Sequence, residues 1–373
     1  MIYSRDVYLA WIASAGIPPD RIRTLLEMYP DPGILHESIQ RGHTESIRHL
    51  ITQKNLDALK SNGDNRFLDT WDRKIQQFSI HTLTSEDDSY PIMLKQISDP
   101  PAVLFYQGQL SALEGPAAAM IGSRSASWKG LNAAEKIARE LSQNGIVIIS
   151  GLAYGIDAVA HKGCLQGESP TIAVLGCGLD RDYPVEHASL KATILEKNGL
   201  LLSEYAPGEK PLGWHFPIRN RIISGLADCL IVMEARIRSG SMTTVQHALD
   251  QGKDVFVYPG EPDNPNAEGN HQLLREGGIY FTSAEDILED MRWLDKKKDV
   301  RQNSHGSLQT EGTDVPEEIA VLQALLKGER SFEQLCEDLN RDASSLMISL
   351  TMMEIKGLIE AMPGKLYRIR TQE

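Results

Sequence analysis

The stretch Ile146-Val-Ile-Ile-Ser150-Gly-Leu-Ala-Tyr-Gly155-Ile-Asp157 decides the fold. Four β-branched apolar residues in a row, closed by a glycine-bounded turn, read as a short strand buried on both faces. After Gly155 the pattern switches to helical spacing and runs to Gln166. The same grammar recurs on both sides. Ala118–Ile121, Thr171–Leu175, Leu200–Leu202, Cys229–Met233 and Asp254–Tyr258 read as further strands. Leu131–Gln143, Glu186–Lys197 and Thr243–Gln251 read as the helices between them. Strands and helices alternating at this spacing predict an α/β domain with a doubly wound, mostly parallel sheet, placed over residues 115–292.

Outside that domain the text changes. Residues 1–77 read as small helices: Val7, Leu9, Trp11 and Ile12 precede the breaker Gly16-Ile-Pro-Pro19, and Ile22, Leu25 and Leu26 precede Pro30-Asp-Pro-Gly33. Two helices about a glycine-containing turn suggest a helix-hairpin-helix or SAM-like module. Residues 78–114, with Tyr90-Pro91 and Asp99-Pro-Pro-Ala102, read as an extended arm leading into the sheet. Residues 293–315 have the polar composition of a linker. Residues 316–373 suggest a winged helix: helices Glu317–Leu326, Phe332–Leu339 and Ala343–Lys356, then a short hairpin. The third helix carries no Lys or Arg through Glu354, which argues against its reading duplex DNA. Its Met347, Met352 and Met353 are expected in the core.

The chain has 373 residues, 41% hydrophobic and 24% charged, enough for two or three domains. No apolar run approaches the roughly 20 residues of a membrane span. The start shows no signal-peptide pattern, so a cytoplasmic location is expected. Cys164, Cys177, Cys229 and Cys336 are scattered and read as free thiols. The net charge of −13 excludes a uniformly basic surface but allows a local basic groove within an acidic exterior.

In a doubly wound sheet, ligands bind beyond the carboxyl ends of the strands. There this chain places Gly122-Ser123-Arg124-Ser125, Ser150-Gly151, Gly176-Cys-Gly178 and Arg236-Ile-Arg238-Ser239-Gly240-Ser241. Small residues admit a ligand to the backbone, and helix N-termini offer N–H groups. Phe216-Pro-Ile-Arg219-Asn220-Arg221 adds two arginines after a proline suited to a first helical turn, beside an aromatic ring. Cations with a flat ring suit single-stranded nucleic acid. Lys129 is a further candidate for the same phosphate path, whereas Trp128 is expected to pack on the sheet. Asp157 and His161 share a helix face and are read as a loop-capping carboxylate and a packed imidazole rather than an acid–base pair. There is no Gly-x-Gly-x-x-Gly after the first strand, no Walker lysine and no metal-ligand spacing, so neither cofactor nor metal is expected.

Met120-Ile-Gly-Ser-Arg124, Ile149-Ser-Gly-Leu-Ala-Tyr-Gly-Ile-Asp157 with Ala160-His161, Trp214-His-Phe-Pro-Ile-Arg-Asn-Arg-Ile-Ile-Ser-Gly225 and Ser239-Gly-Ser241 resemble, in order and spacing, the bacterial DNA-processing protein A family (DprA/Smf). The resemblance implies a Rossmann-like domain that binds single-stranded DNA without sequence preference. It further implies protection of incoming strands in natural transformation, loading of the RecA recombinase, a homodimer and no catalysis. By resemblance the strand passes a basic pocket of Arg124, with Lys210, Phe216, Arg219 and Arg221 nearby. An alternative is a nucleotide-processing enzyme of the phosphoribohydrolase type. That family's Pro-Gly-Gly-x-Gly-Thr-x-x-Glu compares here with Arg238-Ser-Gly-Ser-Met-Thr-Thr-Val-Gln246, which lacks the glutamate.

Overall fold

A computed structural model describes residues 3–293, 321, 324–325, 330–339, 343–356, 358–362 and 366–369. The chain divides into two compact units, residues 1–293 and 294–373.

The first unit opens with helices α1 (Arg5–Ala13), α2 (Pro19–Met28), α3 (Pro32–Gln40), α4 (Gln53–Asn62) and α5 (Asn65–Phe78). Their starts follow from local chemistry: Pro19 occupies the first turn of α2, Asp31 caps α3, and Thr52 and Asn55 form a capping box on α4. The rest of the unit follows in the order β1 (His81–Leu83), α6 (Ile92–Lys95), β2 (Leu104–Gly108), β3 (Ala117–Ile121), α7 (Trp128–Gln143), β4 (Val147–Ser150), α8 (Ile156–Cys164), β5 (Thr171–Leu175), α9 (Ala188–Glu196) and β6 (Leu200–Ser203). After these come α10 (His215–Gly225), β7 (Cys229–Val232), α11 (Gly240–Asp250), β8 (Asp254–Val257), α12 (Glu268–Arg275), β9 (Ile279–Tyr280) and α13 (Ala284–Asp290).

Nine strands form one sheet in the order β1-β2-β6-β5-β4-β3-β7-β8-β9. From β6 to β9 all neighbours are parallel, with Ala118 opposite both Ile148 and Cys229. The six strands expected from the sequence are all present. β3, β4, β5, β6 and β7 are buried at every position, because helices cover both faces. The chain winds outward from β3 through β4, β5 and β6, then returns to place β7 on the other side of β3. The switch point of the sheet is therefore the crevice between β3 and β7.

Two expected boundaries are corrected. Residues 78–114 are more than an extended arm, since β2 pairs antiparallel with β6, Phe105 opposite Ser203, and β1 pairs antiparallel with β2 at the sheet edge. Residues 1–77 are not a separate domain. Val7, Trp11, Leu25 and Leu68 share one core with Phe105, Leu152, Leu175 and Leu201 of the sheet. The Trp71 indole N–H donates to Pro207 O (3.1 Å), and Lys74 pairs with Asp180 (2.7 Å). The other sheet face packs Ile149, Ile172 and Leu230 against Ile222, Val245 and Ala248.

In the second unit, α14 (Phe332–Leu339) and α15 (Ala343–Ile355) accompany a three-stranded antiparallel sheet. Its strands are β10 (Arg330–Ser331), β11 (Ile359–Met362) and β12 (Leu366–Ile369), in the order β10-β12-β11. Leu335, Leu346, Leu350, Met353, Ile359 and Tyr367 form its core. Met353 is buried as expected, but Met347 and Met352 are exposed, because they lie on either side of the face that carries Leu346, Leu350 and Met353. Most of the expected helix Glu317–Leu326 and all but Trp293 of the expected linker lie outside the described residues.

Candidate nucleic-acid interface

A cleft of about 580 Å³ opens at the switch point. Its walls are the turn after β3 (Gly122, Ser123, Arg124, Ser125), Phe216, Arg219 and Asn220 of α10, Arg236, and the start of α11 (Ser239, Gly240, Ser241). Its charged lining residues are three arginines and Asp157. The sheet thus brings together turns separated by more than a hundred residues.

The first turn is built from two directions. Ser123 N–H donates to Glu234 O (2.6 Å), and the buried Glu234 carboxylate accepts from Ser127 N–H (2.8 Å), Ser127 Oγ (2.6 Å) and Asn264 Nδ2 (2.8 Å). Ser127 in turn caps α7 through Gly130 N–H (3.0 Å). Gly155, at φ +76°, supports the turn from below, where a Cβ would lie 2.2 Å from Ser123 O. Arg124 extends from this frame, exposed, with its guanidinium carbon 5.4 Å from the Phe216 ring centroid. No carboxylate is within ion-pair distance of Arg124 among the described residues. On the opposite wall Ser239 spends its hydroxyl on Arg236 O (2.9 Å), and no side chain caps α11. The first-turn N–H groups of α11, with the positive end of its dipole, therefore face the cleft. Ser241 Oγ ties that helix to Gly122 O (3.0 Å).

Several sequence-derived candidates have other employment. α10 begins at His215, so Arg219 and Arg221 sit in its second turn, past the first-turn position read from Pro217. Arg221 faces away from the cleft, buried, where it pairs with Glu204 (2.7 Å) and Asp99 (3.3 Å). Arg219 forms part of the cleft wall, but its guanidinium is committed to the carbonyls of Gly151 (3.0 Å) and Val174 and to Asn220 Oδ1 (3.2 Å). Burial lowers its pKa to about 10, opposed by the Asp157 carboxylate. Asn220 Nδ2 reaches Gly240 O (3.3 Å) and so joins α10 to α11.

In the second turn two N–H groups are already taken. Asp157 accepts from Gly151 N–H (3.2 Å) and Ala153 N–H (3.4 Å), and Ser150 Oγ donates to Met120 O (2.7 Å). Lys129 is paired with Glu261. Trp128 is 74% exposed instead of packing on the sheet, because it opens α7 on the solvent side. Lys210 and Arg238 are exposed beside cleft-lining residues but do not line it themselves.

Asp157 and His161 each have structural partners. Burial pushes the Asp157 carboxyl up, against the pull of Arg219 and the two N–H bonds. His161 is fully buried with Nδ1 2.7 Å from Thr171 Oγ1. That hydroxyl already donates to Ile148 O (2.6 Å), so the imidazole carries its proton on Nδ1. Nε2 has no partner, and burial followed by the charges of His187 and Arg219 holds the pKa down at about 3.

Sequence reading missed Tyr183, which lines the cleft 5.4 Å from the Phe216 ring, and Tyr154, whose hydroxyl donates to Glu186. An aromatic before a proline, in the loop after β5, was the available signal for Tyr183.

Residues 81–292 match the family described as DNA recombination-mediator protein A, and residues 307–365 match the DprA winged helix domain. The chain belongs to the DNA recombination-mediator protein A family. Within it, Protein Smf of Escherichia coli K12 is 38% identical over 365 residues, covering 94% of this chain and 95% of that one. The solved structure of DNA processing protein A from Streptococcus pneumoniae superposes with a TM-score of 0.65 at 35% identity, over 77% of this chain and 98% of that chain. DNA processing protein A from Helicobacter pylori, whose structure is described by its single-stranded DNA binding mode, gives a TM-score of 0.52 at 31% identity, over 57% of this chain and 96% of that chain. The α/β unit is thus the Rossmann-like fold of the family, accompanied by its winged helix. No described helix is long and apolar enough to cross a membrane.

Proposed function

We propose that this protein binds single-stranded DNA, without sequence preference, along the switch-point cleft. The observation that carries the reading is the cleft itself. Arg124 has no carboxylate partner among the described residues and stands opposite the uncapped start of α11, with aromatic rings at one end. Phosphates lie against Arg124, Arg236 and the α11 N–H groups, and bases lie toward the rings. The relative from Helicobacter pylori described as a single-strand binder supports this reading. We further propose that the protein acts by binding and not by catalysis, since Asp157 and His161 are spent on structure. Membership of a recombination-mediator family supports a role in DNA processing and natural transformation in the cytoplasm, as a homodimer that delivers strands to RecA recombinase.

Fluorescence anisotropy of labelled oligothymidine, competed by duplex DNA and by mononucleotides across a salt series, tests the reading. Steep salt dependence with competition by single strands alone is expected. Competition by mononucleotides would make the cleft a small-ligand pocket and overturn it. RecA ATPase on oligothymidine, with and without this protein, tests delivery, and light scattering tests the dimer.

A further inference from the structure

The start of α10 borders two hollows. Phe216, Arg219 and Asn220 line the cleft, whereas Trp214, His215, Ile218 and Arg221 line a second pocket of about 480 Å³. Four segments wall it: the turn from α1 into α2, residues 99–103 before β2, residues 204–209 after β6, and α10 itself. Each wall is fixed by its own bonds. Asn55 Nδ2 donates to Ala15 O and Gly16 O (both 3.0 Å). Arg23 donates to Pro100 O (2.5 Å) and Arg221 to Asp99 O (2.9 Å). Tyr205 stacks on His215 at 3.8 Å and 19°, and its hydroxyl donates to His215 O (3.2 Å). The pocket is therefore formed before any ligand arrives, and its volume is within the usual range of small-molecule sites.

The lining selects a class of ligand. Buried Ile17, Ile22, Val103 and Ala206 supply apolar surface, and the Trp214 ring is 60% exposed. Beside this surface stand three carboxylates, Asp99, Glu204 and Glu209, and one guanidinium, Arg221. Arg221 is spent on Glu204 (2.7 Å) and Asp99 (3.3 Å). The half-buried Glu209 carboxylate has no hydrogen-bond or ion-pair partner among the described residues. Burial pushes the His215 pKa down, so the imidazole adds no positive charge. Three carboxylates against one guanidinium leave the pocket negative. Phosphate is repelled there, so the pocket lies off the strand path. A cation is drawn in, and one with a flat apolar body also covers the Trp214 ring.

We propose that this pocket binds a small organic cation, a primary amine on a flat apolar body, with the ammonium on Glu209 and the body against Ile22, Val103, Ala206 and Trp214. Isothermal titration calorimetry on the full chain with tryptamine, tryptophol and indoleacetate tests it. The three probes share an indole and carry a positive charge, no charge and a negative charge. Tryptamine should bind about ten-fold more tightly than tryptophol, and indoleacetate more weakly than either. Glu209→Gln should reduce tryptamine to the affinity of tryptophol without lowering the thermal midpoint, because no partner is lost. Trp214→Ala should weaken tryptamine and tryptophol alike. Saturating oligothymidine should leave tryptamine binding unchanged, since the strand and the amine occupy opposite sides of α10. No binding of tryptamine at millimolar concentration, equal affinity for the three probes, unchanged affinity in either variant, or displacement by oligothymidine would overturn the assignment.

Discussion

Arg221 and Arg124 carry the same guanidinium, and the structure gives them opposite consequences. The perturbation to make first is Arg221→Ala. It removes the partner of Glu204, itself largely buried, and breaks bonds to Asp99 and to Ile218 O (3.1 Å). Removing one member of a buried pair strands the other charge and typically costs about 3–5 kcal/mol. In a unit of this size each kcal/mol moves the midpoint by about 2 °C, so a fall of roughly 6–10 °C is expected. Arg221 touches no part of the cleft, so the salt dependence of oligothymidine binding should not change. Differential scanning calorimetry gives the first number, and anisotropy across a salt series on the folded variant gives the second. An unshifted midpoint with a flattened salt slope would refute the reasoning and return Arg221 to the phosphate path.

Arg124→Ala should do the reverse: the log–log salt slope should fall by about 0.7 and affinity near 0.1 M salt by about five-fold, with an unchanged midpoint. Loss of affinity without loss of slope would mean that Arg124 shapes the turn and touches no phosphate. His161 has a folded-state pKa of about 3 against 6.5 when free. The unfolded chain therefore binds the proton more tightly, and the stability present above pH 6.5 is lost as pH falls toward 3. Between pH 7 and pH 5 wild type should lose about 2 kcal/mol more than His161→Gln in urea unfolding, and equal losses would contradict the assignment. Gly155→Ala drives a Cβ into Ser123 O at a positive φ, so thermal midpoint and oligothymidine affinity should fall together. A stable variant with normal affinity would show that the turn tolerates the shift.

The family motifs and the alternating β-branched runs were legible because a strand buried on both faces writes its environment into a few consecutive residues. Gly122-Ser-Arg-Ser125 and Ser239-Gly-Ser241 were legible as cleft walls for a related reason. In any doubly wound sheet the turns at the carboxyl ends converge, so placing the strands placed the turns. Arg124 needed nothing more, since it has no carboxylate partner among the described residues.

Long-range contact decided the rest. β1 and β2 read as an arm because the strand that ties them to the sheet, β6, pairs with β2 from about a hundred residues onward, and antiparallel edge pairing leaves no local signature. The first 77 residues read as a module of their own, although Trp71 and Lys74 dock on loops beyond residue 179. Arg219, Arg221 and Lys129 look alike in the sequence as cations beside a candidate phosphate path. Their availability depended on whether a carboxylate or carbonyl from another element reached them first, and one did in each case. Composition and periodicity determine which residues form strands and helices. Only the packed tertiary structure decides which charges remain free, because neutralisation is a property of neighbours in space.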